Sequence, residues 1–449
     1  MFKRILIANR GEIAMRIIRT CRRMGIETCV VYSTADKESL PVRMADVAIC
    51  IGPGPAKQSY LNINNIIAAA ELADVDAIHP GFGFLSENSH FAQVVRDCKI
   101  EFIGPLSSSM EALGNKAKAK ALAIEAKVPT IPGSTGAVKS SEEAIAIARK
   151  IGYPVMIKAT AGGGGRGMRI AHNDASLVSG LISAQREAEA AFGNADCIIE
   201  AYVQRARHIE IQIIGDQHGN VIALGERDCS TQRRHQKLVE ESPSPVITEA
   251  IRQEMMADAV KLAKAAGYYN AGTVEFIFDL DRKKHFFLEM NTRIQVEHPV
   301  TEMVTGFDLI QLQIQVAAGE KLSFTQKDVT FTGHAIEVRF NAEDYEKGFS
   351  PCPGKISMYV SPSGKGVRVD SHCYAGYSIP PNYDSMIAKL IVHGKDRTEA
   401  LHFLDQALSE YIIEGIKTTI PFHQRLIKDV RFVNNEVTTK WVDEVFMRE

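Results

Sequence analysis

The stretch EMNTRIQVEHP, residues 289 to 299, carries five strong hydrogen-bonding side chains at alternate positions: Glu289, Asn291, Arg293, Gln295 and Glu297. Met290, Ile294 and Val296 fall between them, and Thr292 is the one break in the apolar set. In an extended chain this spacing sets two carboxylates, a guanidinium and two amides on one face. The preceding segment, TVEFIFDLDRKKHFFLEMN, reads as a hairpin turning at Asp281, Arg282 and Lys283. Counting outward from Arg282 puts Glu275 opposite Glu289. Two like charges facing each other at about 4 Å, with an effective dielectric near 20, repel by on the order of 4 kcal/mol. A divalent cation between them removes that cost, and Asn291 adds a neutral oxygen. Such an oxygen set suits Mg²⁺, which usually takes phosphate oxygens as well. A neighbouring Lys or Arg, or a proton kept on one carboxyl, is the other way to relieve the pair. Pro299 and the polar run can also end the strand before Glu297.

The second chemical feature is IKATAGGGGRGMRI, residues 157 to 170, where Gly162 to Gly165 stand in a row. Each glycine in regular structure costs roughly 0.5–1 kcal/mol relative to alanine. Strand-like VMIKA and MRIA flank the run closely, which argues against a linker. A glycine hairpin brings backbone N–H groups up to phosphates, and Lys158 is placed to reach one as a point charge. No GK[ST] ends the run, so it is not a P-loop. Lys116 is a second candidate cation. A third segment, GERDCSTQRRHQKLVEESPSP, crowds Arg227, Arg233, Arg234, His235 and Lys237 ahead of Glu240 and Glu241. Taken alone it reads as a solvated charged loop, as do His208 and Glu210 in ARHIEIQ.

These residues need elements to hold them. The first hundred residues alternate strand and helix: KRILIAN, the helical EIAMRIIRTCRRM after Gly11, then ETCVVYS, VDAIHPG and IEFIGP. That is the rhythm of an open parallel sheet. The single Gly11 in the first turn, and GFGFLSEN further on, fall short of a dinucleotide fingerprint. A polar Ser107–Ser109 cluster precedes a helical stretch, GNKAKAKALAIEAKV, that ends at Pro129. Strand candidates DCIIEAYV, HIEIQIIG and NVIALGERD follow. A helix is predicted over 248 to 266, capped by Thr248 and stopped by Gly267. From about 333, short strands with Pro/Gly turns begin, and helices close the chain after 397.

The 449 residues suffice for two to four domains. A formal net charge of −2 gives no bulk attraction for nucleic acid or an anionic membrane, and no apolar run approaches a membrane span. The N-terminal apolar core is cut short by Asn9, Arg10 and Glu12, which reads against a signal peptide. The eight cysteines form no CxxC pair and read as free thiols of a reducing, cytoplasmic compartment.

Together, ILIANRGEIAMRIIR, HPGFGFLSEN, GGGGRGMR, ERDCSTQRRHQKLVEE, EMNTRIQVEHPVTE and YDSMIAKLIVHG, in this order, resemble the biotin carboxylases, the ATP-grasp subunits of bacterial acetyl-CoA carboxylase. The resemblance runs nearly end to end. It implies an α/β and α+β chain: an N-terminal Rossmann-like parallel-sheet domain (1–114), a central ATP-grasp domain (115–332) with a glycine-rich lid (about 131–203), and a C-terminal mixed β domain (333–449). It implies a two-step reaction, in which ATP and bicarbonate give carboxyphosphate and ADP, and the carboxyl group then moves to N1′ of biotin. Lys116, Lys158, Gly164, Gly165, Glu200, Ala201, Val203, His208, Gln232 and His235 would surround ATP. Glu275, Glu289 and Asn291 would hold Mg²⁺ or Mn²⁺. Lys237, Arg293, Gln295 and the Val296 backbone would bind bicarbonate, Glu297 would deprotonate it, and Arg339 would stabilise negative charge on the biotin ureido oxygen. An Arg fork and a Lys suit a planar anion.

Two positions depart from the family pattern. Ala201 stands where many relatives have lysine, beside an adenine contact made largely by backbone atoms. Phe82 stands where tyrosine is common, which removes a hydroxyl near biotin. The sequence holds no AMKM-like biotinylation motif and no carboxyltransferase region, so the expected partners are a biotin carboxyl carrier protein and carboxyltransferase subunits, with a homodimer implied by the resemblance. Two other readings are another ATP-grasp ligase with a different acceptor, and a nucleotide-binding regulator without turnover.

Overall fold

A computed structural model describes residues 1–160 and 168–448. They group into two compact units, one of Met1–Val128, His208–Phe276 and Glu289–Glu449, the other of Pro129–Arg207 and Ile277–Leu288. Gly164 and Gly165 lie outside the described residues, with the rest of the glycine run.

The first unit opens with a five-stranded parallel sheet in the order Val47–Gly52, Glu27–Ser33, Arg4–Ile7, Ala77–His79, Glu101–Phe102. Ile5, Leu6 and Ile7 have no exposure on either face, as a parallel strand covered by helices requires. Gly11, at φ +69°, starts the helix Gly11–Arg23, which buries Ile13, Ala14, Ile17, Ile18 and Cys21 at helical spacing. Of these strands, only Val47–Gly52 has no counterpart in the sequence reading. It sits at the sheet edge with half-exposed residues, so its apolar signal is diluted. The Ser107–Ser109 cluster is a correction: it begins a helix of its own, Ser107–Gly114. Asn115 then caps a separate helix, Lys116–Glu125, accepting from the Ala117 and Lys118 N–H groups.

The large sheet has eight strands in the order Lys284–Asn291, Asn270–Asp279, Ala206–Gly215, Val221–Arg233, Gln236–Ser242, His334–Asn341, Met386–Gly394, Val367–Ser371. From Ala206–Gly215 onward the pairing is antiparallel. One face of its far half carries charge. Register pairs Glu240 with Glu337, Arg339 with Lys389, and Lys389 with Asp370, and each pair points to the same side. The helix Glu249–Ala265 begins at Thr248, whose hydroxyl accepts from Ile251 N–H, and gives way to Gly267 at φ +56°, as the sequence predicts.

The second unit is a three-stranded antiparallel sheet, Met168–Ala171, Val155–Ala159, Cys197–Ala201, packed on the helices Ser141–Ile151 and Asp174–Phe192. Val155, Ile157, Leu177, Cys197 and Ile199 form its core. Among the described residues, no helix is long and apolar enough to cross a membrane.

Candidate active site

The strand Lys284–Asn291 stops at Asn291, and Glu297 lies at the start of the helix His298–Thr305. One continuous extended face from Glu289 to Glu297 is therefore not what forms. Pro299, which lacks an N–H, occupies the helix's first turn, and residues 292–297 bend to reach it. The polar side chains still converge, through hydrogen bonds instead of strand alternation. Asn291 Nδ2 donates to Glu275 Oε1 at 2.8 Å, Gln295 Nε2 donates to the same oxygen at 3.3 Å, and Arg293 Nη1 donates to Gln295 Oε1 at 2.9 Å.

At the centre stands Lys237. Its ammonium lies 2.5 Å from Glu210, 3.1 Å from Glu275 and 2.5 Å from Glu297. Glu210 also takes Arg227 Nε at 2.6 Å, from the directly paired position on the next strand. On the other side, Glu297 Oε2 takes Arg339 at 2.8 Å, and Arg339 reaches Glu240 at 2.5 Å. The result is a row of alternating charge: Arg227, Glu210, Lys237, Glu297, Arg339, Glu240. Arg227 and the three acids are buried, and the solvated-loop reading of the 225–241 segment and of Glu210 and His208 is overturned. Arg234 and His235 fit it, exposed with Gln236 at the turn between Val221–Arg233 and Gln236–Ser242.

Burial disfavours charge in every member, but the partners decide the outcome. For Lys237, three carboxylates outweigh burial and hold the ammonium well above its usual range. For Glu297, Lys237, Arg339 and Arg227 outweigh burial and hold the carboxyl well below its usual range. Glu240 goes the other way: burial pushes it up to about 7, although Arg339 opposes this. Of the two acids that share Arg339, Glu297 is the one that stays ionised.

The acidic pair of the hairpin is relieved by cations. Lys237 and the His208 ring, whose Nε2 is 2.9 Å from Glu275 Oε2, overcome burial and depress the Glu275 carboxyl. Glu289 is held up by burial and by the Glu275 charge, with Lys116 3.8 Å away. The tight groups His208–Glu210–Glu275 and Glu210–Cys229–Glu297 have the spacing of metal ligands, but the Lys237 ammonium already binds the carboxylates of both. Glu275, Glu289 and the Asn291 amide remain the all-oxygen set, and that chemistry fits a hard divalent cation.

Arg293 donates from Nε to Glu87 Oε2 at 2.9 Å, and Glu87 also accepts from Thr292 N–H. The Val296 carbonyl accepts from Lys389 Nζ at 2.6 Å. Gln232 is buried and register-paired with Lys237. In the second unit, Lys158 Nζ lies 2.6 Å from Glu200, Ala201 N–H donates to the Pro132 carbonyl at 2.7 Å, and Val203 is nearly buried. Glu87 and Lys389 escaped the sequence reading, and Glu240 figured in it only as part of a solvated charged loop. The signal for Lys389 is legible in retrospect: one lysine inside the apolar strand MIAKLIV.

Comparison with known proteins bears on the whole length. The family description "Biotin carboxylase, N-terminal domain" matches residues 1–110, "Carbamoyl-phosphate synthase L chain, ATP binding domain" matches 115–325, and "Biotin carboxylase C-terminal domain" matches 337–444. Biotin carboxylase 1 of Bacillus subtilis is 56% identical over 99% of this chain and 98% of its own. A pyruvate carboxylase subunit of Methanothermobacter thermautotrophicus is 53% identical over 99% of this chain and 90% of its own. The biotin carboxylase domain dimer of Hydrogenobacter thermophilus 2-oxoglutarate carboxylase, solved with Mg-ADP, ADP and bicarbonate, superposes with a TM-score of 0.91 at 49% identity, covering 99% and 98% of the two chains. With the sheets, the buried charge row and these matches in agreement, the chain belongs to the biotin carboxylase family and has its ATP-grasp fold.

Proposed function

We propose that this chain carboxylates biotin carried by a partner protein, using ATP and bicarbonate through carboxyphosphate, as the first half-reaction of an acetyl-CoA carboxylase. The observation that carries the reading is Glu297 held between Lys237 and Arg339 by its two separate oxygens. Bicarbonate is a poor nucleophile until it loses a proton. Glu297 is ionised and placed to take that proton, and Lys237, Arg293, Gln295 and the Val296 N–H are the groups that would hold the anion. A carboxylate pressed by two cations is a weak base. An anion that draws Lys237 and Arg339 toward itself returns basicity to Glu297, so positioning does most of the work.

Lys116, Lys158, Gly164, Gly165, Glu200, Ala201, Val203, His208, Gln232 and His235 would contact ATP. Glu275, Glu289 and Asn291 would hold Mg²⁺ or Mn²⁺, whose role when bound is to neutralise phosphate charge. The three-domain division at 114 and 332 accompanies this assignment. Arg339 would serve the second step, pairing with the ureido oxygen as charge develops there. Partners of this reading are a biotin carboxyl carrier protein, carboxyltransferase subunits and a second copy of the chain, in the cytoplasm; the eight cysteines, all free thiols, support a reducing compartment.

ATP cleavage measured with and without bicarbonate, and again with free biotin, tests the proposal. The expected result is dependence on bicarbonate and stimulation by biotin; cleavage indifferent to biotin favours a different acceptor. A second reading concerns the final acceptor. The similarity to a pyruvate carboxylase component supports the same half-reaction serving a 2-oxoacid. Reconstitution with acetyl-CoA or pyruvate carboxyltransferase components separates the two.

A further inference from the structure

We propose that Lys389 is a positioning residue for this site: its buried ammonium grips the Val296 carbonyl and so sets the 296–297 peptide, the unit that leads into Glu297 and aims its carboxylate. The inference rests on the reading of Glu297 as base and Val296 as part of the anion site.

Lys389 has no exposed surface, yet it comes from the middle of the apolar strand Met386–Gly394. A charge is costly there unless something specific accepts it. Its one hydrogen-bond acceptor among the described residues is the Val296 carbonyl at 2.6 Å. Three acids surround the charge from greater distance: Glu12 at 3.4 Å, Glu337 at 4.0 Å and the register-paired Asp370, which stays ionised; neither Glu12 nor Glu337 has a hydrogen-bond partner for either carboxyl oxygen. The ammonium therefore spends its short contact on a backbone carbonyl and leaves two neighbouring carboxylates with looser ones. An ion pair made only for stability would do the reverse.

The register explains the placement. Arg339 and Lys389 are directly paired on adjacent antiparallel strands and point to the same side. Arg339 takes the Glu297 carboxylate and Lys389 takes the carbonyl one residue earlier. The same two strands thus hold the base by its side chain and by its backbone. Residues 292–297 are a bend, with no sheet partner to fix them, and the helix that follows begins at His298. Without the lysine, the 296–297 peptide loses the partner of its carbonyl, and a turn of that peptide re-aims the Glu297 side chain that follows it.

Lys389→Met, Glu12→Gln/Lys389→Met, which removes the lysine together with its nearest acid, and Glu12→Gln alone test this. Both Lys389 variants are expected to raise the bicarbonate KM and lower kcat of bicarbonate-dependent ATP cleavage, with a combined loss of about tenfold or more. Their dissociation constant for Mg-ATP, by equilibrium dialysis, stays within about twofold, because uniform loss of structure would move both. Glu12→Gln retains activity, and Lys389→Arg recovers part of it. The inference is overturned if a folded Lys389 variant shows unchanged bicarbonate kinetics, if Glu12→Gln loses as much as Lys389→Met, or if no Lys389 variant folds, since the lysine then serves folding. Glu297→Gln in the same assay separates the levels. Full activity there removes the base assignment itself, whereas an inactive Glu297→Gln beside normal Lys389 variants removes only the role of Lys389.

Discussion

Lys237 Nζ and Glu297 Oε1 lie 2.5 Å apart in a buried setting, so the proposed base and one of the proposed anion-binding cations form an ion pair with each other. Bicarbonate bound as proposed would have to share that lysine. The pair keeps Glu297 charged and aimed, and it makes the site sensitive to any change of charge at either residue.

Glu297→Gln keeps the shape and removes the proton acceptor. Carboxylation of free biotin should fall by about 10²–10⁴-fold, the usual worth of a general base, while Mg-ATP binding by equilibrium dialysis persists. Retained turnover would take Glu297 out of the base role.

Arg339→Ala should damage carboxybiotin formation more than bicarbonate-dependent ATP cleavage. It should also shift the pH profile of the cleavage step. Arg339 is one of the cations that depress the Glu297 carboxyl, so its loss raises that pKa, and the rising limb of the rate moves to higher pH. Equal loss in both steps with no pH shift would place Arg339 elsewhere.

How far these residues could be read from sequence depends on what held them. The hairpin, the Thr248-capped helix and most of the parallel sheet follow from local spacing and capping, and they form as expected. The site's composition was legible in 289–297, but its geometry was not, because Pro299 turns the chain into a helix after Asn291. The strand Ala206–Gly215 misled for a different reason. His208, Glu210 and Gln212 alternate with isoleucines, which ordinarily means a wet face. Here every residue of the strand is buried, and the polar face meets Arg227 and Lys237. Partners far along the chain decide such a case, and periodicity does not report them.

Metal dependence should separate the two hairpin acids. Glu289→Gln is expected to raise the Mg²⁺ concentration for half-maximal ATP cleavage by at least about tenfold with bicarbonate KM little changed. Glu275→Gln should disturb both, since Glu275 also binds Lys237 and receives the Gln295 amide. A chelator should stop cleavage, and Mg²⁺ or Mn²⁺ should restore it. Identical behaviour of the two variants would argue against separate roles.

Glu12 should leave a mark on stability. Burial pushes its carboxyl up to about 7 from an ordinary 4.5, against the opposing pull of Lys389. Between those values the unfolded chain ionises and the folded chain keeps its proton. Stability therefore declines as pH rises through 4.5 to 7 and levels off above, by on the order of 3 kcal/mol at about 1.4 kcal/mol per pH unit. Glu12→Gln escapes this decline. Its melting temperature relative to the unmodified protein should climb over that window and then stay constant. A constant difference across the whole window would show that Glu12 is ionised throughout.

The alternating row from Arg227 to Glu240 draws its members from four strands and one bend, with Glu210 and Arg339 more than a hundred positions apart in the chain. A half-assembled version would strand an ion in a dry interior, so intermediates in which only some of these segments have docked are penalised. These charges thereby act as a cooperativity device: this part of the molecule should melt as one block, and the row is either complete or absent.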